Sequence, residues 1–534
     1  MPIKRAVAVL TILALTVLVL GGCAGQQPAA KPAAPAPAPA KESTLVQSYG
    51  SDPTTLNPLL AADDASSMVV NQIFNALVTV DNDLNVIPDL AEKWDISQDG
   101  KTYTFYLRKG VKWHDGKPFS SADVKFTFDL YKKEKLPQST AFDAVQEILT
   151  PDENTVVFKL SRPEPTIMLL GLAFWRGNRI VPKHIFEGKD LFNNEYNMKP
   201  IGTGPWKFKE WVKGDRTVLE RNESYFRPGL PKIDRYVFKV IPSPATEIAA
   251  LEKGETDYIS NVGLADVRRV EKIKGIKVKP TLDKLGLTYY LGLNRENKYL
   301  KDIRVRKALM HAMNRQEVID IALEGLGKPQ NSFISSALTK WYNPNVPVYE
   351  FDSKKAASIL DGAGYKPGVG GMRFTVKALM RAGRADQQKV LQVIQSQWKK
   401  VGVGLEIVPM EQATINDKIL KTFDFDMVIF GSASGPDADR LYSYFHAKNL
   451  GAAWQFMRYN NAEVNRLWDQ SRQTMDDAER RKLFNRIQEI IMSELPFLPV
   501  YEYSMYLAVN EKLVGLPAGA HGYQNSNENV SWTK

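Results

Sequence analysis

The sequence predicts a multi-domain α/β protein, and three observations carry that prediction. Stretches with the two-residue alternation of half-buried strands are interleaved with stretches of helical period from Thr44 onward. The chain has 534 residues, enough for about three cores of ordinary size. It contains no fixed-period repeat, which sets solenoids and propellers aside. The composition, 44% hydrophobic and 24% charged, excludes disordered, fibrous and disulfide-rich classes, the last because there is one cysteine.

The first elements concern location. Lys4 and Arg5 precede an apolar run from Ala6 to Leu20, which ends in Leu20-Gly21-Gly22-Cys23. A basic start, about 15 apolar residues and small residues before a cut describe a secretory signal rather than a membrane-spanning helix. Leucine, two glycines and cysteine match a bacterial lipobox, which makes Cys23 the expected lipid attachment site and the membrane an expected partner. Residues 24–43 are rich in Ala and Pro, a composition that favours an extended spacer over a packed core. Ala24 follows the cysteine where an aspartate would signal inner-membrane retention. The expectation is therefore a single-membraned cell, with the protein on the outer face of its cytoplasmic membrane, or on the periplasmic side if the cell has two membranes. Loss of Lys4 and Arg5 lowers the formal charge from +10 to +8.

The body follows from Thr44. Lys101–Arg108 alternates Tyr103, Phe105 and Leu107 against polar neighbours, and Thr155–Leu160 and Tyr236–Ile241 read in the same way. Leu391, Ile394 and Trp398 mark a helix that stops near Gly402, before a strand over Gly404–Val408. Asp476 and Glu479 form a helix start, with Leu483, Ile487 and Ile491 on one face. Arg304, Arg306 and Lys307 read as the solvated face of a helix, which argues against a nucleic-acid surface.

Motifs for chemistry are missing. The five histidines, His114, His184, His311, His446 and His521, are dispersed and no zincin motif is present. Gly431–Gly435 has alanine where a nucleophile elbow needs serine, and Glu324–Lys328 has Ala322 where a phosphate loop needs glycine. The expectation is a binding protein without catalytic residues, cofactor or metal.

Several separated motifs then converge. They begin with Asp52-Pro53-Thr54-Thr55-Leu56-Asn57-Pro58 and continue through Pro88–Trp94, Asp99–Arg108, Trp113-His114-Asp115-Gly116-Lys117-Pro118-Phe119 and Ala122-Asp123-Val124. Further on stand Gly202-Thr203-Gly204-Pro205-Trp206, Leu293-Asn294, Asp302–Ala308, Asn314-Arg315 and Leu495–Tyr501. In this order they resemble the large solute-binding lipoproteins of ABC importers, family 5, which include oligopeptide, dipeptide and nickel binders. Trp113–Gly116 and Gly202–Pro205 also read physically as turns, so His114 and Asp115 are not expected to be catalytic or metal-binding.

The resemblance implies a two-lobed periplasmic-binding-protein clamshell with an additional inserted domain, a three-domain α/β fold of the class II, cluster C type. Lobe I would comprise 44–72, 195–292 and 505–534; the inserted domain 73–194; and lobe II 293–504, with crossings near Leu293 and Tyr503. Its implied function is capture of an extracellular solute between closing lobes for delivery to permease subunits, by a monomer. A peptide is the family's most common solute; oligosaccharides, glutathione-like thiols, opines and metal chelates are alternatives on the same scaffold, and an exported enzyme or chaperone-like binder using the same clamshell is the second functional class.

For the cleft, the resemblance points to Asp63, Asp64 and Ser66 in the first lobe and to Phe430, Gly431, Ser432, Ala433, Ser434, Asp437 and Asp439 in the second. Tyr503, Trp454 and Tyr442 are aromatic candidates. Many peptide binders place an aspartate before an Asp-Pro pair to hold the peptide's ammonium group. Here Ser434 or Gly435 stands there and Asp437-Ala438 replaces the pair, so the expectation is a missing clamp, with Asp437, Asp439, Asp63 or Asp64 as substitutes.

Overall fold

Three sheets organise the body. The computed structural model describes residues 43–136, 139–174, 178–281, 283–451, 455–517 and 526–533, so Cys23, the spacer and Trp454 lie outside the described residues. No helix among the described residues is long and apolar enough to cross a membrane.

The first sheet has seven strands, in the order Ile276–Thr281, Met505–Asn510, Tyr258–Val262, Thr44–Tyr49, Arg235–Val240, Arg216–Arg221 and Trp206–Val212. Thr44–Tyr49 runs parallel to both of its neighbours. Beneath it, the Tyr236 and Tyr258 hydroxyls donate to Gln47 Oε1 at 2.6 and 2.5 Å, while Asn527 Nδ2 donates to both hydroxyls at 2.6 and 2.9 Å. A buried polar knot of this kind satisfies groups that water cannot reach, and it ties the C-terminal segment under the first strand.

A four-stranded antiparallel sheet, Ala91–Ile96, Thr102–Leu107, Thr155–Leu160 and Val145–Asp152, is backed by helix Ser121–Glu134. The alternation in TYTFYL has its expected consequence: Tyr103, Phe105 and Leu107 are buried. The rings of Phe105, Phe128 and Phe158 meet edge to face at 5.6 and 5.1 Å. Their core is continuous with that of the seven-stranded sheet, including Leu45, Tyr236 and Leu507. Arg227 adds a charged tie, donating to Asp89 at 2.8 Å and to Glu528 at 2.5 Å.

The third sheet has six strands, in the order Lys328–Pro329, Phe497–Tyr503, Leu287–Leu293, Met427–Ala433, Phe374–Arg381 and Val403–Met410. It owns a separate core that includes Leu291, Trp398, Trp468, Ile487 and Phe497. Helix Ala385–Lys399 buries Leu391, Ile394 and Trp398 on one face. Helix Asp477–Glu494 starts where expected, with Asp476 accepting from the amides of Ala478 and Glu479 at 2.8 and 2.9 Å. The chain passes from the first sheet to this one between Thr281 and Leu287, earlier than Leu293, and returns at Ser504.

Two motifs prove to be joints. His114 accepts from the Gly202 amide through Nδ1 at 3.2 Å, so the proton sits on Nε2, which donates to the Gly204 carbonyl at 3.0 Å. Burial pushes its pKa down to about 4, and nearby Lys207 adds to the effect. Gly204 N donates to Ile73 O at 2.8 Å, and a Cβ on Gly202 would lie 1.9 Å from that oxygen, which only glycine tolerates.

One expectation fails here. Arg306 belongs to helix Ile303–His311 but is buried rather than solvated. Its guanidinium donates to the carbonyls of Leu300, Lys301 and Glu494 at 2.6 to 3.2 Å, joining the turn before its own helix to the end of helix Asp477–Glu494, and burial lowers its pKa to about 10. Helical period alone does not separate a solvated cation from one that satisfies orphan carbonyls at helix ends.

Candidate functional site

A cavity of about 360 Å³ opens at one end of the six-stranded sheet, and each of its lining residues lies between 287 and 503. Its floor is strand Met427–Ala433, whose first three residues are buried and whose last four, from Phe430, are only half-buried. The neighbouring strand pairs antiparallel, setting Leu287 opposite Ala433 and Tyr289 opposite Gly431. A Cβ on Gly431 would come within 3.0 Å of the Tyr289 ring, so the glycine makes room for that aromatic. Tyr289 in turn stacks on Tyr501 with centroids 5.1 Å apart and tilts against Tyr503 at 5.5 Å.

Three arginines converge on this floor. Arg381 ends strand Phe374–Arg381, so the parallel ladder with Val403–Met410 delivers it at the carboxyl end of a strand. Arg384 donates to both oxygens of Asp386, at 2.8 and 2.5 Å, and to the Tyr289 hydroxyl at 2.9 Å. The hydrogen bonds it donates to Asp386 are the main reason its pKa is raised, and it stays charged. Arg440 donates to the Ala433 carbonyl and lies across Gly435, whose φ of +77° and missing side chain give the guanidinium stem its path. Ser432 Oγ donates to the Tyr444 hydroxyl at 2.9 Å, and burial keeps the Tyr503 phenol neutral by raising its pKa. Among the described lining residues none is Asp, Glu, His or Cys. Fixed cations beside hydroxyl donors and aromatic faces suit recognition of a carboxylate-bearing, carbonyl-rich ligand.

The structure places Phe430, Gly431, Ser432, Ala433 and Tyr503 together at this cavity. The other expected residues go elsewhere. Asp63 caps helix Asp64–Ile73, accepting from the Ser66 amide at 2.8 Å, Ser66 Oγ at 2.7 Å and Thr54 Oγ1 at 2.6 Å. Burial pushes its carboxyl up, but these bonds outweigh that and hold it below its ordinary value. Asp64 sits in the first turn of the same helix, and the Ser66 hydroxyl also accepts from the Thr54 amide at 2.9 Å.

Ser434, one of the two residues at the position expected for the clamp, is buried and accepts from the Ser335 amide at 2.9 Å. Asp437 takes both Nη groups of Arg480 at 2.8 and 3.0 Å, a pair buried on both sides. Asp439 is buried beside Arg472 at 3.3 Å, and burial, with Asp437 and Glu164 nearby, raises its pKa to about 6. Tyr442 stacks on His446 at 4.3 Å and under Arg472 at 4.4 Å, away from the cavity lining. Acid residues near an aligned position are thus engaged by buried arginines of their own lobe.

The family model for bacterial extracellular solute-binding proteins, family 5 Middle, matches residues 85–452. The chain belongs to this family. Over 531 residues it is 30% identical to the oligopeptide-binding protein AppA of Bacillus subtilis, covering 96% of each chain. The crystal structure of the ABC transporter substrate-binding protein CtaP from Listeria monocytogenes is similar with a TM-score of 0.82 and 27% identity, covering 92% of this chain and 100% of that one. The structure of Bacillus subtilis AppA in complex with a nonapeptide gives a TM-score of 0.76 at 28% identity, with the same coverage. This family-5 solute-binding protein is therefore a component of ABC transport that acts outside the cytoplasm, with a mixed α/β clamshell.

Sequence reasoning missed Arg381, Arg384, Arg440 and Tyr289. A signal existed for Arg381: open α/β sheets bind ligands at the carboxyl ends of their strands, and it closes such a strand. Nothing in the spacing announces the other three, which reach the cavity through strand pairing and a glycine turn.

Proposed function

We propose that this family-5 protein captures peptides for an ABC importer, with the peptide's carboxylate held by the arginines at the carboxyl end of the six-stranded sheet. The observation that carries this reading is the convergence of Arg381, Arg384 and Arg440 on the half-buried end of strand Met427–Ala433. An extended ligand laid along Phe430–Ala433 takes backbone hydrogen bonds, while the arginines select its anionic group. The peptide ligand in the Bacillus subtilis relative's structure supports the same class.

Lobe I then comprises 44–72, 195–281 and 505–534, the inserted domain 73–194, and lobe II 287–503, turning about the segments around 283–286 and Ser504. Closure of lobe I onto the cavity buries the ligand, and the closed form is what the permease subunits receive. The protein acts as a monomer without turnover of its solute, tethered through lipid on Cys23 by the 24–43 spacer. Two measurements test this. Mass spectrometry of material copurifying with the full chain should show peptides of mixed sequence, and a single sugar or metal chelate would overturn the peptide reading. Cys23→Ala should release the protein from the membrane fraction, and unchanged fractionation would refute the anchor.

A further inference from the structure

The strand under the cavity has an unpaired edge, and hydrogen bonds fix which residues face it. Ser434 N donates to Gly286 O at 2.9 Å, beside the antiparallel pair Ala433 and Leu287. In an antiparallel ladder the backbone groups of alternate residues point to opposite sides, so Phe430, Ser432 and Ser434 address strand Leu287–Leu293, while Gly431 and Ala433 address the other side. There strand Phe374–Arg381 pairs only with Met427 and Val428. The amide that would carry this ladder on, Arg381 N, donates instead to Gln387 Oε1 at 3.2 Å. The N–H and C=O of Gly431 and the N–H of Ala433 therefore open on the cavity that both residues line.

The open edge ends at a cation. The Ala433 carbonyl, the next acceptor on the cavity side, takes a hydrogen bond from Arg440 Nη1. Arg440 reaches it across Gly435, where a Cβ would stand 2.5 Å from the arginine's Cδ, so the glycine lets this side chain lie over the end of the strand. An extended ligand that pairs with Gly431 thus finds one more donor, at Ala433, and then a guanidinium in place of an acceptor. An ammonium end placed there would face a donor and a like charge, whereas a carboxylate end is matched by both. Arg381 stands on the neighbouring strand, and Arg384 is already held by both oxygens of Asp386, so neither marks the end of the edge.

We propose that Arg440 determines which way a peptide lies in the cavity: the chain runs parallel to Met427–Ala433, with its terminal carboxylate on the Ala433 amide and the Arg440 guanidinium. Recognition then requires a free α-carboxylate and does not require a free α-amine, so N-acylated peptides are solutes as well as free ones. Gly431 supplies the backbone pairing, which selects no side chain. The proposal rests on the peptide reading above and adds to it the polarity of the ligand and the end that is read.

The test uses the full chain carrying Cys23→Ala, unfolded and refolded to strip copurifying material. It is dialysed to equilibrium against pools of random-sequence tripeptides that are free at both ends, N-acetylated or C-amidated, and retained peptide is measured by mass spectrometry. Without further substitution the chain should retain the free and acetylated pools within about threefold of each other and the amidated pool at least about tenfold less. Arg440→Gln should lower retention of the free pool at least about fivefold and bring acid and amide within about twofold of each other. Arg440→Lys, which keeps the charge, should keep a preference for the acid. Equal retention of free and amidated pools, or a loss of about tenfold on acetylation, overturns the proposed polarity and leaves the peptide reading standing. These two comparisons need no Arg440 variant, so they decide the matter even if one fails to fold. Retention of none of the pools refutes the peptide reading itself, and the polarity with it.

Discussion

Two short polar segments, Ala62–Ser67 in the first lobe and Phe430–Asp439 in the second, carry the same kinds of residue and have different fates. In the first, Asp63 and Ser66 close on one another and on Thr54 twelve residues before Ser66, so both are used up close by in the chain. In the second, the acids sink into the lobe against Arg480 and Arg472, while the small residues before them stay at the edge of a cavity lined by cations. A polar side chain faces a ligand when local backbone and buried charges leave it unused. Residue type alone does not say which case holds.

Breaking the second segment should cost most. Asp437→Ala strips the bidentate partner from buried Arg480 and should lower unfolding free energy by about 3–5 kcal/mol in denaturant titration. A loss below about 1 kcal/mol would mean that Asp437 is free to serve the ligand. The His114 joint should show itself through pH. Its folded pKa, about 4, lies below the ordinary 6.5, so its contribution is fully present above pH 6.5 and is lost as pH falls toward 4, at up to about 1.4 kcal/mol per unit. Asp439, raised to about 6, works in the opposite sense, its share being lost as pH rises through 6. Melting of His114→Gln against wild type between pH 4 and 8 isolates the first effect as a flatter acid limb; identical slopes would contradict it.

Smaller effects sharpen the comparison. Arg381→Gln should weaken capture of a copurified peptide roughly tenfold, about 1.4 kcal/mol, by calorimetry, with an unchanged melting temperature. Equal affinity would remove Arg381 from the site. Asp63→Ala should cost about 1 kcal/mol of stability as a lost helix cap and leave peptide affinity within a factor of two. A large affinity loss there would restore Asp63 as a ligand contact.

Much of the architecture could be read in advance, because alternation and helical period report which face of an element is buried. TYTFYL, the Asp476 cap and the helix ending near Gly402 all reappear as elements in place. Phe430 to Ala433, placed in the cleft by the motif order, line the cavity of the six-stranded sheet. Asp63, Asp437 and Asp439 were misread, since a carboxylate's partner can be its own helix three residues on or an arginine 43 residues away. Arg306 was misread for the same reason: its acceptors include a carbonyl 188 residues distant.

What the sequence by itself determined is the α/β class, the family and the turns, since these depend on periodicity, on turn residues such as Gly116 and Gly202, and on motifs in chain order. Only the tertiary structure decided which charges line the cavity. Strand pairing brings Arg381, Arg384 and Arg440 to Phe430–Ala433 and burial assigns each acid its partner, and both depend on distances that no spacing along the chain encodes.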